Sequence, residues 1–183
     1  MLRKVEINKS NAYEEAFRNL YEKSFPSEER IPYEELVQMY DYLKTDFNAF
    51  YEGETFIGIV LAFRFEKCNF LAYFSVVEEL RGKGYGTRIL RDFLEKYKND
   101  HPVVLGIESP DQEDAQNLEM RKRRKAFYER NGMRDTKVYS INGGIKYTIM
   151  SSSNEPFTNQ DKDEVFATYL GAREKIKMSK KEF

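Results

Sequence analysis

A glycine-rich segment, Arg81-Gly82-Lys83-Gly84-Tyr85-Gly86-Thr87, follows the apolar stretch at residues 70–77. Apolar residues after the segment recur at helical spacing, so we predict a strand before it and a helix behind it. Glycines permit unusual φ angles and let a ligand approach the backbone. Amides at the positive end of a helix dipole form an anion cradle, and Arg81 and Lys83 add positive charge. The segment therefore predicts a phosphate or pyrophosphate site.

Other anion-binding motifs do not fit the spacing of these glycines. A P-loop requires G-x-x-x-x-G-K-[ST], and a dinucleotide-binding turn requires G-x-G-x-x-G. Here the glycines fall at Gly82, Gly84 and Gly86, and Ile89 stands in place of a later glycine. A glycine-rich turn that binds no ligand remains an alternative.

The surrounding sequence predicts a mixed α/β fold with the element order β-α-α-β-β-β-α-β-α-β-β. The first amphipathic helix includes Tyr13, and the chain changes from helical to strand periodicity near Phe47. Residues 56–63 are almost continuously apolar, which is typical of a strand covered on both faces. We therefore expect helices on both sides of the sheet.

Length and composition indicate one domain followed by an extension. A chain of 183 residues is long enough for one hydrophobic core. Residues 151–156 are rich in serine and resemble a linker, and residues 161–178 predict one more helix. We assign residues 1–150 to the domain and residues 151–183 to the extension. The extension could cover the site, pack on the sheet or mediate a homodimer.

Charge and composition exclude several classes of function. The formal net charge of −1 gives no basic footprint for nucleic acid. A single cysteine, Cys68, and a single histidine, His101, exclude an intrachain disulfide, a cysteine-based zinc cluster and a multi-histidine metal site. The N-terminus has no apolar signal core, and no segment approaches the roughly 18 apolar residues of a membrane span. We expect a cytoplasmic protein that binds neither a metal nor a membrane.

Two motifs resemble those of a known family. Arg81-x-x-Gly84-x-Gly86 is similar to the [QR]-x-x-G-x-[GA] acetyl-CoA signature of the GNAT superfamily of N-acetyltransferases. The run from Ala126 to Met133 resembles the family's A-x-Y-x-x-x-G-F pattern, with Met133 in place of Phe. The resemblance covers about residues 1–150. It implies the GNAT fold, a central, mixed, mostly antiparallel twisted sheet with helices on both faces, splayed between the fourth and fifth strands. Pairing is expected to fail near Pro110, which cannot donate to a ladder.

The resemblance implies acetyl-CoA as the co-substrate. The backbone of the fourth strand would pair with the pantetheine arm, and the amides of the glycine-rich segment would hold the pyrophosphate. Arg121 stands where many members carry an asparagine that contacts the cofactor, and a basic side chain there could meet a CoA phosphate. A solvated helix face is the alternative for Arg121. The cofactor-binding residues so implied are Phe74, Ser75, Val76, Arg81, Gly82, Lys83, Gly84, Tyr85, Gly86, Thr87 and Arg121.

Two residues are candidates for catalysis. Tyr128 matches the family tyrosine that protonates the departing thiolate, and a core-facing tyrosine is its alternative. The amine must arrive neutral, although an alkyl amine is mostly protonated near pH 7. Glu108 is the candidate base because it ends the fifth strand, and a carboxylate that is solvated or orients the substrate is its alternative.

The resulting hypothesis is an N-acetyltransferase that transfers acetyl from acetyl-CoA to a primary amine by direct attack in a ternary complex. The acceptor is a small-molecule amine or a protein amino group. A non-catalytic acyl-CoA-binding or sensory domain of the same fold is the main alternative. A nucleic-acid-binding module using Arg121 to Lys125 is opposed by the balanced charge. Cys68 lies in a predicted hairpin turn away from the glycine-rich segment, which disfavours a covalent intermediate.

Overall fold

The computed structural model describes residues 2–12, 14–27, 29–112 and 115–179. Its seven-stranded sheet has the order β1-β2-β3-β4-β5-β7-β6. The strands are β1 (Arg3–Glu6), β2 (Lys44–Glu52), β3 (Thr55–Arg64), β4 (Asn69–Val76), β5 (Val103–Glu108), β6 (Arg134–Asn142) and β7 (Ile145–Ser151). The helices are α1 (Glu15–Ser24), α2 (Tyr33–Gln38), α3 (Tyr85–Lys96), α4 (Leu118–Arg130) and α5 (Asn159–Ser179). The α/β class and the predicted element order are confirmed.

Strand β3 is the centre of the core and is covered on both faces. Its residues from Ile57 to Phe63 are all buried. Ile59 and Leu61 face a cluster built with α1 and α2, whereas Val60 and Ala62 face a cluster built with α3. Two helical layers explain why this strand is apolar without a break, as the sequence predicted.

The sheet is splayed between β4 and β5, which confirms the predicted gap. These parallel strands pair only at Asn69↔Val103 and Phe70↔Val104, and the ladder ends there. Beyond those pairs, backbone groups on the facing edges of the two strands are left to other partners.

The prediction that pairing fails near Pro110 was wrong. Pairing between β4 and β5 is lost after Val104, well before Pro110. On its other side β5 pairs with β7 as far as Glu108↔Tyr147, and the Ser109 amide still donates to the Lys146 carbonyl at 2.7 Å. Pro110 therefore follows the end of the β5–β7 ladder and does not open the gap.

Helix α5 packs on the sheet, one of the three places considered for the extension. Ala172 and Ile176 belong to the cluster formed with α1 and α2, and Val165 belongs to a third cluster with Val104. Seven residues, 152–158, separate α5 from β7, because β7 continues to Ser151, the first residue of the predicted linker, and α5 begins at Asn159. The extension thus shares its buried contacts with the sheet.

Some predictions concern residues outside the described part of the chain. They are those for Tyr13 in the first helix and for the last residues, 180–183. Within the described part, no helix is both long and apolar enough to cross a membrane.

Candidate active site

The glycine-rich segment links the end of β4 to the start of α3. Gly82 and Gly84 have φ angles of 76° and 82°, in the left-handed region that favours glycine. Gly84 is the N-cap of α3 and has no side chain with which to cap the first amides. The amides of Tyr85, Gly86 and Thr87 are therefore available at the positive end of the helix dipole. This is the geometry expected of an anion cradle.

Contacts from neighbouring strands hold this cradle in place. The Arg81 Nε donates to the Val76 carbonyl at 3.0 Å, so this side chain folds back onto the end of β4. Glu52 at the end of β2 accepts from the Tyr85 hydroxyl and from Arg88 Nη1, the latter at 3.1 Å. Lys83 is exposed and adds its charge at the rim. The segment is thus anchored by side chains while its backbone amides face outward.

The two faces of β4 differ in chemistry beside the gap. Phe74 packs toward α4, with its ring centroid 6.3 Å from that of Phe127. A Cβ added at Gly86 would lie 3.5 Å from the Phe127 ring, an ordinary contact. Ser75 points to the opposite face, where its hydroxyl oxygen lies 2.7 Å from that of Ser24 on α1. The three predicted pantetheine residues, which include Val76, thus lie on the stretch of β4 beyond its last pairing with β5.

Tyr128 lies on α4 and shares a buried cluster with residues of both splayed strands. It is 9% exposed and belongs to the same buried cluster as Val76 of β4 and Ile107 of β5. Burial raises the pKa of Tyr128 to about 12, and the charge of Arg124 opposes this shift. Its hydroxyl makes no hydrogen bond to another residue that the structure describes. Tyr128 is therefore a packed core residue whose hydroxyl proton is not donated to any residue that the structure describes.

Glu108 ends β5, and its carboxylate is surrounded by two arginine side chains and one asparagine amide. It is 7% exposed. Its Oε1 accepts from Arg121 Nη2 at 2.9 Å, and its Oε2 accepts from Arg124 Nη1 at 3.1 Å. Asn117 Nδ2 lies 3.2 Å and 3.3 Å from the two oxygens. A carboxylate has about four lone-pair directions, and these contacts occupy that number.

Arg121 is buried and is hydrogen-bonded to protein groups. It is 5% exposed, and it also donates to Asn117 Oδ1 at 2.6 Å. Its Nη1 donates to the Ser109 carbonyl and to Gln112 Oε1, both at 3.1 Å. A guanidinium group has five N–H donors. These three contacts, together with the one to Glu108, engage four of them. The structure brings Arg121 to the end of β5 and away from solvent.

Sequence reasoning missed Asn117 and Arg124 as partners of this carboxylate. A usable signal was present, because residues 117, 121, 124 and 128 follow the helical spacing that places side chains on one face. The basic run from Arg121 to Lys125 is instead divided between different faces of α4. Lys122 pairs with Glu119 at 3.0 Å, and Lys125 pairs with Asp135 at 2.7 Å.

Glu29 is a second carboxylate near Glu108, and no catalytic role was predicted for it from the sequence. It lies between α1 and α2 and is partly buried. Tyr147 of β7 is one of its neighbours. Burial raises the pKa of Glu29 above its ordinary value, the charge of Glu108 adds to this, and Arg124 and Arg121 oppose it. No periodic pattern marks this residue, because it lies in a loop.

The comparison with family models settles the assignment. Residues 14–133 match the model of the acetyltransferase (GNAT) family. This chain belongs to the GNAT family. The match spans α1 to the end of α4 and so includes the cradle, Glu108 and Tyr128.

Solved structures of GNAT proteins share this fold. A GNAT-family protein from Bacteroides thetaiotaomicron is 26% identical, with 95% of each chain covered and a TM-score of 0.67. An aminoglycoside 6'-N-acetyltransferase complexed with coenzyme A is 16% identical, with 86% of this chain and 99% of that chain covered and a TM-score of 0.62. Arabidopsis thaliana Naa50, in complex with the bisubstrate analogue CoA-Ac-MVNAL, is 15% identical, with 83% and 98% covered and a TM-score of 0.60. No curated protein matches the chain in sequence.

The remaining candidates of this GNAT chain lie away from the gap. Cys68 precedes β4 at the end opposite the cradle, is fully buried, and has a pKa raised to about 12 by burial. His101 is exposed beside Asp100, at the start of β5. Among the described residues, no group of three or more His, Cys, Asp or Glu side chains could hold a metal ion.

Proposed function

We propose that this chain is an N-acetyltransferase that transfers the acetyl group of acetyl-CoA directly to a primary amine in a ternary complex. The observation that carries the proposal is the position of Tyr128. It packs in one cluster with Val76 and Ile107, on the two strands that border the gap, and the gap opens beside the amides of α3.

The residues around the gap fit acetyl-CoA, which supplies an activated thioester when bound. The amides from Gly82 through Thr87 would hold the pyrophosphate, with the charges of Arg81 and Lys83 at the rim. The backbone of Phe74, Ser75 and Val76 would pair with the pantetheine arm along the edge of β4 that β5 leaves open. Glycine at the N-cap supports this assignment, since a capping side chain would compete for the same amides.

Tyr128 would act as the general acid. Amide formation breaks the carbon–sulfur bond, and the sulfur needs a proton as it departs. The phenol is protonated near pH 7 even at its ordinary pKa of 10, and burial raises the pKa to about 12, so the proton is present to be donated. The packing of Phe127 against its ring, with centroids 5.2 Å apart, limits the positions that the hydroxyl can reach.

We propose other roles for Glu108 and Arg121 than those expected from the sequence. With its lone pairs occupied by Arg121, Arg124 and Asn117, the Glu108 carboxylate has no free direction for an amine. We propose that Glu108 orients the end of β5 and the start of α4, and that Arg121 holds Glu108 and not a CoA phosphate.

Names of the structural relatives support an amine acceptor without selecting one. They include an aminoglycoside N-acetyltransferase, a spermidine N-acetyltransferase and a ribosomal-protein-S18-alanine N-acetyltransferase. At 11–16% identity these proteins share only the fold, so the acceptor is proposed as a primary amine.

The test is a thiol-release assay with acetyl-CoA and three probe amines, namely kanamycin, spermidine and the peptide Met-Val-Asn-Ala-Leu. Tyr128→Phe should lower kcat by about 10²- to 10⁴-fold with CoA affinity retained. Tyr42→Phe, a matched change at a residue that is 40% exposed, should leave both unchanged. Binding of CoA without release by any amine would favour the non-catalytic alternative, and no binding of CoA would remove the cradle assignment.

A further inference from the structure

Gly58 of β3 packs directly against the peptide bond between Ser75 and Val76 of β4. It lies opposite Val76 in register. A Cβ added at Gly58 would overlap the Ser75 carbonyl oxygen and would lie only 3.1 Å from the Val76 Cα. Gly58 does not have one of the positive φ angles that favour glycine, so the requirement for glycine is steric and not conformational. Within a strand, such a glycine marks a point where another backbone approaches closely.

The pairing of β3 with β4 decides where the polar groups of this peptide point. In an antiparallel ladder, residues directly opposite each other alternate between pairs that exchange hydrogen bonds and pairs that do not. The Val77 amide donates to the Ile57 carbonyl at 2.9 Å. That bond flanks the pair Gly58↔Val76 and makes it one of the second kind, so the Val76 amide and carbonyl point away from β3, toward the side where β5 no longer pairs. Arg81 Nε donates to that carbonyl at 3.0 Å, and the Val76 amide is the backbone donor that faces the gap.

The Ser75 carbonyl and the Val76 amide move as one unit, because a peptide bond is planar. The carbonyl is directed toward β3, where it lies against Gly58, and the amide is directed toward the gap. Pushing the carbonyl away from β3 would therefore turn the amide out of its direction. Gly58 thus controls a donor at the gap without lying at the gap itself.

We infer that Gly58 is a positioning residue for the cofactor, because its missing side chain lets β3 hold the Val76 amide in the direction of a pantetheine carbonyl. This inference rests on the proposed pairing of the pantetheine arm with β4. That arm contains amide groups, and the Val76 amide offers one of their carbonyls a hydrogen bond along the edge that β5 leaves open. Gly58 acts through Val76 and is not itself a cofactor-binding residue.

The first experiment compares Gly58→Ala with wild type by titration calorimetry, with CoA and ADP as ligands. ADP carries a pyrophosphate that the cradle would hold, but it lacks the pantetheine arm. Gly58→Ala should bind CoA about three- to tenfold more weakly, which is the net worth of one hydrogen bond. Its affinity for ADP should stay within about twofold of wild type, because the cradle is unchanged. A variant that is partly unfolded would instead show a lower stoichiometry with both ligands.

Gly106→Ala is the matched control, since Gly106 lies on β5 at the other border of the gap. Its Cβ would lie 3.7 Å from the Ile149 Cδ1, an ordinary contact, so its affinity for CoA should stay within about twofold of wild type. Full CoA affinity in Gly58→Ala, or equal losses for CoA and ADP, would overturn the role of Gly58. Wild-type protein that binds neither ligand would overturn the cradle, and with it the proposed acetyl transfer.

Amide hydrogen exchange in the wild-type protein, followed by NMR, tests the same inference without a substitution. The Val76 amide points away from β3 and should exchange faster in the free protein than the Val77 amide, which donates to Ile57. CoA should slow the exchange of Val76 by about tenfold or more, whereas ADP should leave it unchanged. Equal protection of Val76 and Val77 in the free protein, or no added protection of Val76 by bound CoA, would overturn the direction assigned to this amide.

Discussion

Arg121 Nη2 lies 2.9 Å from Glu108 Oε1, and the two side chains are only 6% and 9% exposed. A buried pair of this kind gains little over a well-packed apolar pair, but removing one partner leaves an uncompensated charge. The pair therefore binds α4, which carries Tyr128, to the end of β5, which borders the gap.

Arg121→Met should destabilise the fold by about 3–5 kcal/mol, because Glu108 would lose its closest cation in a buried setting. Urea unfolding followed by circular dichroism measures the change. Arg123→Met, at an exposed position of the same helix, should stay within about 0.5 kcal/mol of wild type. A loss of CoA affinity in Arg121→Met without a loss of stability would support the phosphate contact that the sequence predicted.

Gly84→Ala should weaken CoA binding and lower stability by about 1–2 kcal/mol, since alanine must adopt a φ of 82° at the N-cap. A Cβ there would meet nothing within 4 Å, so the cost is conformational and not steric. Gly143→Ala, at a φ of 55° in the turn between β6 and β7, is the matched control, because its Cβ would also meet nothing within 4 Å and it should lose stability without losing CoA affinity. Titration calorimetry with CoA and thermal unfolding measure both effects. Equal CoA affinities for the two variants would contradict this account of the cradle.

Asp46 should make stability depend on pH in the acid range. Burial works against its ionisation, but hydrogen bonds from Lys96, Tyr97 and Asn48 outweigh that cost and hold its pKa below the ordinary 3.8. A carboxyl whose pKa is lowered on folding contributes stability above its unfolded pKa and loses it as pH falls through the folded pKa. Unfolding free energy measured from pH 6 downward should therefore fall below about pH 4, and less steeply in Asp46→Asn. Asp92→Asn, at an exposed position, should keep the wild-type slope.

Ile176→Ala should lower the free energy of unfolding by about 2–5 kcal/mol, because this residue of α5 is fully buried against the cluster of α1 and α2. Leu170→Ala on the same helix should cost little, since Leu170 is 52% exposed. Denaturant unfolding of both variants tests whether residues 151–183 stabilise the domain or form a separate appendage. Similar small changes in the two variants would favour the appendage.

Local signals were sufficient for the elements and for the cradle. The glycine spacing at residues 82–86, the unbroken apolar run of β3 and the stop at Asn131-Gly132 each depend on neighbours a few residues apart. The hairpin at Asn142-Gly143-Gly144 is of the same kind, and β6 and β7 pair there through Asn142↔Ile145. Features of this kind can be predicted from a single segment of the sequence.

Contacts between residues that are far apart in the sequence could not be predicted in this way. Glu108 was correctly placed at the end of β5, but its partners Arg121 and Arg124 are 13 and 16 residues away and were assigned elsewhere. The result changes the expected contacts, since both oxygens of this carboxylate are hydrogen-bonded to arginine side chains.

The chain's own order of residues thus determined the family, the sheet with helices on both faces, the amide cradle and the candidate acid Tyr128, because each follows from spacing within a segment. The tertiary structure alone decided where pairing between β4 and β5 ends and which carboxylate is paired with two arginines. Those outcomes depend on burial and on charges brought together from several elements, and the electrostatic cost of burying a carboxylate is set by neighbours that no local pattern identifies.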